Sequence, residues 1–271
     1  MMKQISLNDY LNSENLWSKR LLGLTDFSKK RDINQVEKEY NLDKYAKLLE
    51  FDFPTMEDYR IKEFELSGLN SKSSVAISYG DTMYSTPLLN ARTLFCEMIK
   101  SKIEQYHSRN ICELGCGYGY NLNYLEKNTY GGEYSKNAVI LGKKLGLEIS
   151  EFNYYKREDY NLIKPDSTIF TVHSIEQIPD ASVIIDALLA QGNKINYVVH
   201  FEPTQVKERT GKLGLYRNKY IELNDYNRNL IELLVKNPSV EIIEMQYDVF
   251  GLNPLNSSNL IVWKSIKKIS S

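Results

Sequence analysis

Residues 110–125 read NICELGCGYGYNLNYL, a short apolar run that ends at Glu113-Leu114 and passes into Gly115, Gly117 and Gly119 at alternate positions. Apolar residues resume at helical spacing with Leu122 and Leu125. Glycine gives up more backbone freedom on folding than any other residue, so three in five positions mark a place where bare main chain is required. A strand that leads through such a loop into a helix reads as the first unit of an α/β sheet. Ligands of such sheets bind beyond the C-terminal strand ends, where the strand order reverses. The loop is therefore the candidate wall of a site.

Two nucleotide readings conflict with the spacing. A P-loop ends in Gly-Lys-Ser/Thr, and no lysine follows these glycines. The dinucleotide fingerprint would place its third glycine at position 120, which is Tyr120, and this mismatch disfavours a nicotinamide oxidoreductase. Glu113, directly before the loop, would repel a pyrophosphate and favours a ligand with a positive end. Glu133 stands 14 residues after Gly119, at the predicted tip of the second strand. A carboxylate there accepts hydrogen bonds from both hydroxyls of a ribose. A ribose, no pyrophosphate and an ammonium or sulfonium together describe S-adenosylmethionine.

Outward from this loop, the chain changes character near residue 107. Before it the pattern is mostly helical, with apolar residues at helical spacing over 6–22 and 33–51. Pro54 followed by Thr55 reads as a stop and a capped restart. Thr86-Pro87 reads as cap and first turn of a helix carrying Leu88, Ala91, Phe95 and Ile99 on one stripe, ending near His107, a residue read as structural. Residues 67–86 are rich in serine and glycine and read as a loop. Beyond 107, strands at 110–114, 129–133, 147–153, 167–173 and 196–201 alternate with helices at 121–127, 136–145, 181–191 and 218–235. Two successive strands, 239–250 and 259–264, close the chain. The pattern implies an α/β fold: a mostly parallel sheet with helices on both faces and an antiparallel edge. The expected division is a helical N-terminal extension with a lid loop, 1–86, and an α/β domain, 87–271.

Composition narrows the function classes. The chain has 271 residues, 42% apolar and 25% charged, with a net charge of -1. It can bury a full core, and no basic excess points to nucleic acid as a partner. No apolar run approaches the ~20 residues that span a bilayer. The start lacks an apolar stretch before a small-residue cleavage site. Three cysteines, Cys96, Cys112 and Cys116, suit a reducing compartment, so a cytoplasmic location without a membrane partner is expected. Cys112 and Cys116 lack zinc spacing, and no metal is assigned. Glu176, His200 and Glu202 nonetheless leave a divalent site open if they converge.

The segments ICELGCGYG, YGGEYSKNAVILGKKLG, STIFTVHSIEQI and VVHFEP together resemble class I S-adenosylmethionine-dependent methyltransferases over about 88–264. The resemblance implies a Rossmann-like sheet of seven strands, mostly parallel, the last inserted antiparallel beside the fifth. It implies S-adenosyl-L-methionine as cofactor, with Gly115, Gly117 and Gly119 along its methionine portion and Cys116 filling the loop between them. Glu113 faces the amino group, Glu133 with Tyr134 beside it holds the ribose, and Ser135 caps the next helix. The family often has an acidic residue after the third strand to contact adenine, whereas here Asn153 and Tyr154 stand nearest. His173 and Ser174 complete the cofactor-facing set.

An oxygen or nitrogen acceptor needs a base as well as alignment. His173 and His200 fall at the ends of the fourth and fifth predicted strands, and histidine titrates near neutrality. His173 is the first choice, with a purely cofactor-lining role as its equal. His200 and Glu176 are further catalytic candidates. Tyr79, Tyr84, Arg92 and Glu202 are candidates to contact the acceptor. The expected activity is methyl transfer to an oxygen or nitrogen of a small polar molecule, with a sugar or nucleotide-sugar favoured by the 20 tyrosines. The competing reading is a regulatory protein that binds the cofactor without catalysis. The oligomeric state stays open, a homodimer included.

Overall fold

The computed structural model describes residues 2–13, 16–106, 108–125 and 128–266, so His107 lies outside the described residues. Among the described residues ten strands run in chain order: β1 Lys3–Ile5, β2 Ser74–Tyr79, β3 Thr82–Pro87, β4 Asn110–Leu114, β5 Thr129–Glu133, β6 Ile149–Glu151, β7 Ser167–Val172, β8 Ile195–Glu202, β9 Val240–Phe250 and β10 Ser258–Ser265. Seven form one sheet in the order β6-β5-β4-β7-β8-β10-β9. The pairs from β6 through β8 are parallel, and β10 enters antiparallel between β8 and β9. The sheet reverses direction of winding at β4, whose neighbours are β5 and β7.

The central strands are apolar on both faces because helices cover both. Ile169 of β7, Val198 of β8 and Ile261 and Trp263 of β10 point into one core, with Ile185 and Leu188 of the helix Ser182–Leu189. Their sequence neighbours Phe170, Val199, Leu260 and Val262 point into the other, against Phe95 and Ile99 of the helix Leu88–Ile103. The period of two along each strand thus divides one apolar run between two cores.

The N-terminal part differs from its helical expectation. Residues 74–87 are not a loop but the hairpin β2–β3, and β1 pairs with β3 to complete a three-stranded sheet. Thr86 therefore pairs with Val75 inside this sheet, and Pro87 takes the cap position before Leu88. The stretch 33–51 is a helix of mixed pitch, with a π-helical section Glu37–Tyr45 between the α-helical turns Ile33–Val36 and Ala46–Leu49. The expected helix at 218–235 is two, Gly211–Leu223 and Leu230–Lys236, parted where Asp225 adopts φ 53°. That at 121–127 is a single 3-10 turn, Leu122–Tyr124, in the described part. No helix among the described residues is long and apolar enough to cross a membrane.

Gly119 explains part of the glycine loop without any ligand. Its φ is 87°, and an added Cβ would stand 2.3 Å from Leu147 Cδ1 and 3.0 Å from Ile149 Cδ1. Its bareness lets the loop pack on the β6 side of the sheet, and it does not reach the cavity described below. Gly119→Ala should lower stability by about 1–3 kcal/mol, the cost of combined backbone strain and overpacking. Chemical denaturation would show a reduced midpoint at constant slope, and an unchanged midpoint would contradict this packing role.

Candidate functional site

A cavity of about 620 Å³ lies over the C-terminal ends of β4, β5 and β7, at the point where the strand order reverses. Gly115 and Gly117 line its floor. Both have positive φ, 75° and 57°. A Cβ on Gly115 would meet Ser174 Cβ at 2.3 Å, and one on Gly117 would meet the Tyr45 hydroxyl at 2.7 Å. Each glycine of the loop therefore has a protein neighbour that a side chain would strike. Cys116 turns its sulfur back toward Gly131 and fills the loop from behind, and burial pushes its thiol well above the ordinary range.

Three carboxyls organise the floor. Glu133, at the tip of β5, accepts the Gly117 N–H at 2.8 Å and the Ser135 N–H at 2.7 Å, tying the loop after β4 to the turn after β5. Burial raises its pKa while these two N–H groups oppose the rise. Glu113 is 1% exposed. Its Oε1 accepts from the Asn121 amide at 2.7 Å, but its Oε2 is buried without a partner. Burial pushes its pKa well above the carboxylate range, and the charge of Glu133 adds to the rise. Glu202, at the end of β8, lies beneath the cavity and does not line it. It accepts the N–H groups of Ser174 and Glu176, and so shapes the turn after β7.

That turn carries His173 at φ 51°, a left-handed conformation that a non-glycine residue holds only under surrounding constraint. The constraint is visible: Tyr154 Oη donates to the Leu114 carbonyl at 2.8 Å and meets Ser174 Oγ at 2.8 Å, joining the ends of three strands. His173 lines the cavity, with Nε2 on Ser258 Oγ at 2.7 Å and Nδ1 3.3 Å from Glu176 Oε2.

Several sequence-derived candidates lie elsewhere. His200 is fully buried between Thr171 Oγ1 and the Trp263 indole, both at 2.9 Å from its ring nitrogens. An indole N–H only donates, so Nε2 accepts and the neutral ring donates from Nδ1 to Thr171. It does not line the cavity and forms no cluster with Glu176 and Glu202, and burial lowers its pKa to about 3. Among the described residues no His, Cys, Asp and Glu cluster suits a metal ion. Tyr79 and Tyr84 pack on each other, and Tyr79 on Phe250, where β2 meets β9, away from the cavity. Ser135 occupies the N-cap position but its hydroxyl donates to Asn41 Oδ1 at 2.8 Å instead of capping. Arg92, Tyr134, Asn153, Tyr154, Ser174 and Glu176 do line the cavity.

The roof comes from residues that sequence reasoning passed over. The π-helical section turns Tyr40, Asn41, Lys44 and Tyr45 toward one side, over the floor. Asn41 fixes it there: its Oδ1 also accepts the Asn137 N–H, and its carbonyl accepts the Asn137 amide. From the helix Met56–Leu66, Glu63 pairs with Lys44 and Arg60. Burial alone would raise the Glu63 pKa, but Arg60, Lys44 and Arg92 hold it down to about 2. Arg60 lies over the Tyr120 ring at 3.9 Å. The Nε groups of Arg60 and Arg92 are buried without partners. The density of Tyr, Asn and Lys over 37–45 was the one sequence signal for this roof.

No protein-family model matches the sequence, and no curated protein matches it. Solved structures do. A crystallised S-adenosylmethionine-dependent methyltransferase from Anabaena variabilis aligns with a TM-score of 0.53 at 12% identity, covering 89% of this chain and 99% of that one. Magnesium protoporphyrin IX methyltransferase from Synechocystis, crystallised with S-adenosylhomocysteine, gives 0.49 at 12% identity, over 87% and 100%. The first of these likenesses carries the fold.

The unmet carboxyl of Glu113 makes a stability prediction. Its folded pKa lies above its unfolded one, so the free protein loses stability as pH rises from the ordinary carboxylate range through the raised value. Glu113→Gln should flatten that decline and raise the melting temperature at neutral pH by a few degrees, on the order of 1 kcal/mol. Calorimetric melts of both proteins across pH check this. An equal pH dependence in the two would oppose the assignment.

Proposed function

We propose, from a chain whose fold is that of class I S-adenosylmethionine-dependent methyltransferases, that this cavity binds S-adenosylmethionine and serves methyl transfer to an oxygen or nitrogen of a small polar acceptor. One observation carries the reading. The same cavity is lined by a buried carboxyl oxygen without a partner, Glu113 Oε2, and by arginines whose Nε donors lack an acceptor, Arg60 and Arg92. Buried polar groups are rarely left unpaired, and such a mismatch asks for a ligand that supplies both halves. The amino-acid end of S-adenosylmethionine brings an ammonium for Glu113 and a carboxylate for the arginines. Glu133 suits the ribose: each of its oxygens holds one N–H and keeps acceptor capacity for a hydroxyl. Asn153 and Tyr154, at the end of β6, line the wall beyond it where a nucleobase would extend.

Bound S-adenosylmethionine supplies a methyl group on a cationic sulfur. The chain's own contribution is to orient, to exclude water and to take up a proton. The roof formed by Tyr40, Asn41 and Tyr45 covers the floor, and orientation of this kind supplies up to ~7–11 kcal/mol to a displacement. Beyond His173 the cavity continues past Glu176, Gln177 and Asn256, which leaves space for an acceptor and favours catalysis over mere cofactor binding. His173 turns Nε2 away to Ser258 and Nδ1 toward Glu176. Glu176 is thus the group that faces the acceptor space, with His173 behind it as the partner that shares the proton. The tyrosine-rich roof suits a polar ring such as a sugar.

Calorimetry with S-adenosylhomocysteine tests the cofactor half. Binding should release a proton at mildly acid pH, because the ligand's ammonium returns Glu113 to its charged form. Affinity should therefore strengthen as pH rises through the raised pKa. The heat should differ between buffers of different ionisation enthalpy. Glu133→Ala should weaken binding about tenfold or more, the scale of lost hydrogen bonds to a charged group. Undiminished binding by that variant would remove the ribose assignment.

A further inference from the structure

We infer that the acceptor head group is an amine, a proposal that rests on the methyltransferase reading and narrows its substrate class. The argument starts from Glu176, which is 4% exposed and lines the cavity beyond His173. A buried carboxylate is normally met by a cation. Among the described residues, His173 is the one basic side chain within ion-pair distance of it, 3.3 Å away. Its carboxylate also accepts from two amides, and the hydroxyls of Tyr40, Tyr220 and Tyr226 and the carboxyl of Glu202 lie near enough to feel its charge. Gln177 Nε2 donates to Oε1 at 2.7 Å, and Asn256 Nδ2 lies 3.3 Å from Oε2.

These contacts fix the orientation of both amides. Turned over, Gln177 would set its carbonyl oxygen against a carboxylate oxygen at 2.7 Å, acceptor against acceptor. With the NH₂ groups committed to Glu176, both carbonyl oxygens face the other way. Gln177 Oε1 and Asn256 Oδ1 are buried and neither has a partner. Both residues line the cavity. One wall of the acceptor space therefore carries a carboxylate and two unmet carbonyl oxygens, while the unmet hydroxyl of Ser257, next in sequence to Asn256, does not line the cavity.

A ligand that satisfies this wall brings several N–H or O–H donors and a positive charge. A hydroxyl donates once and carries no charge. A carboxylate or phosphate would add acceptors and a second negative charge. A protonated amine carries three donors and one positive charge, and its bonds to a carboxylate are charge-assisted. The wall also solves the step an amine requires before it has a lone pair to offer. One N–H proton passes from the ammonium to the Glu176 carboxylate, and the N–H bonding pair stays on nitrogen. His173 Nδ1 is close enough to share that proton.

The test uses one ring with three head groups: benzylamine, benzyl alcohol and benzoate, each titrated calorimetrically into protein saturated with S-adenosylhomocysteine. The saturation step is itself the check on the cofactor reading: a protein that binds no S-adenosylhomocysteine overturns that reading and this proposal with it, whereas the three probes judge this proposal alone. Benzylamine should bind at least tenfold more tightly than either analogue. Glu176→Gln should abolish that preference. If this variant does not fold, Asn256→Leu, which removes one unmet carbonyl and keeps the charge, should weaken benzylamine about threefold and leave benzyl alcohol unaffected. Equal binding of the three probes, tighter binding of benzoate or the alcohol, or no binding of benzylamine overturns the proposal. So does a preference that survives Glu176→Gln.

Discussion

The carboxylate of Glu133 is the interaction on which the site depends. It accepts main-chain N–H groups from Gly117 and from Ser135, so one side chain joins the exits of two neighbouring strands. The loop after β4 holds three glycines at positive φ and has little stiffness of its own. Hydrogen bonds to a buried charge are strong enough to fix it. The consequence is electrostatic. With Glu113 beside it, the floor carries two buried carboxyls whose pKa values both rise on burial. The protein bears that strain in the free state, and a cationic ligand relieves it. A buried carboxyl with an unmet oxygen beside bare backbone is a sound physical sign of a binding function.

The same logic extends across the cavity as a division of charge. At the roof, Arg60, Lys44 and Arg92 gather around the single carboxylate of Glu63 and leave positive charge and unmet donors. On the far wall, Glu176 and its two amides leave negative charge and unmet acceptors. The two ends are thus suited to different partners. The roof is tied to the sheet by Asn41, which bonds Ser135 and Asn137, and by Tyr45 and Leu48, which share a buried core with Tyr118, Ala138 and Leu141. A π-helical section is uncommon and is found mostly at functional sites, and here its wider turn is what brings four polar and aromatic side chains to bear together.

Much of this was legible before the fold was known, for reasons that differ by residue. The strands 110–114 and 167–172 announce themselves by apolar or β-branched runs bounded by turn residues, and Glu113 and Glu133 stand out as acids beside a glycine loop. His200 was misjudged because a strand-end position says on which layer a residue sits, not whether its ring points outward. Trp263, from the inserted β10, closes over it. Tyr79 and Tyr84 were placed at the lid because serine and glycine disguised a hairpin, whose third strand β1 is supplied by the N-terminal residues Lys3–Ile5.

What the sequence by itself determined is local and periodic: the order of strands and helices, the need for bare backbone at 115–119, and the two acids that flank it. Those features follow from interactions within a few residues, and such interactions are written in spacing and residue type. The tertiary structure alone decided which neighbour each glycine avoids, that Tyr45 and Asn41 close the roof, and that Glu176 stands between two amides with their carbonyls turned outward. Most of these join residues that are far apart in the chain, Tyr45 with Gly117, Asn41 with Ser135 and Asn256 with Glu176, and a single sequence carries no record of which distant side chains will share one desolvated space.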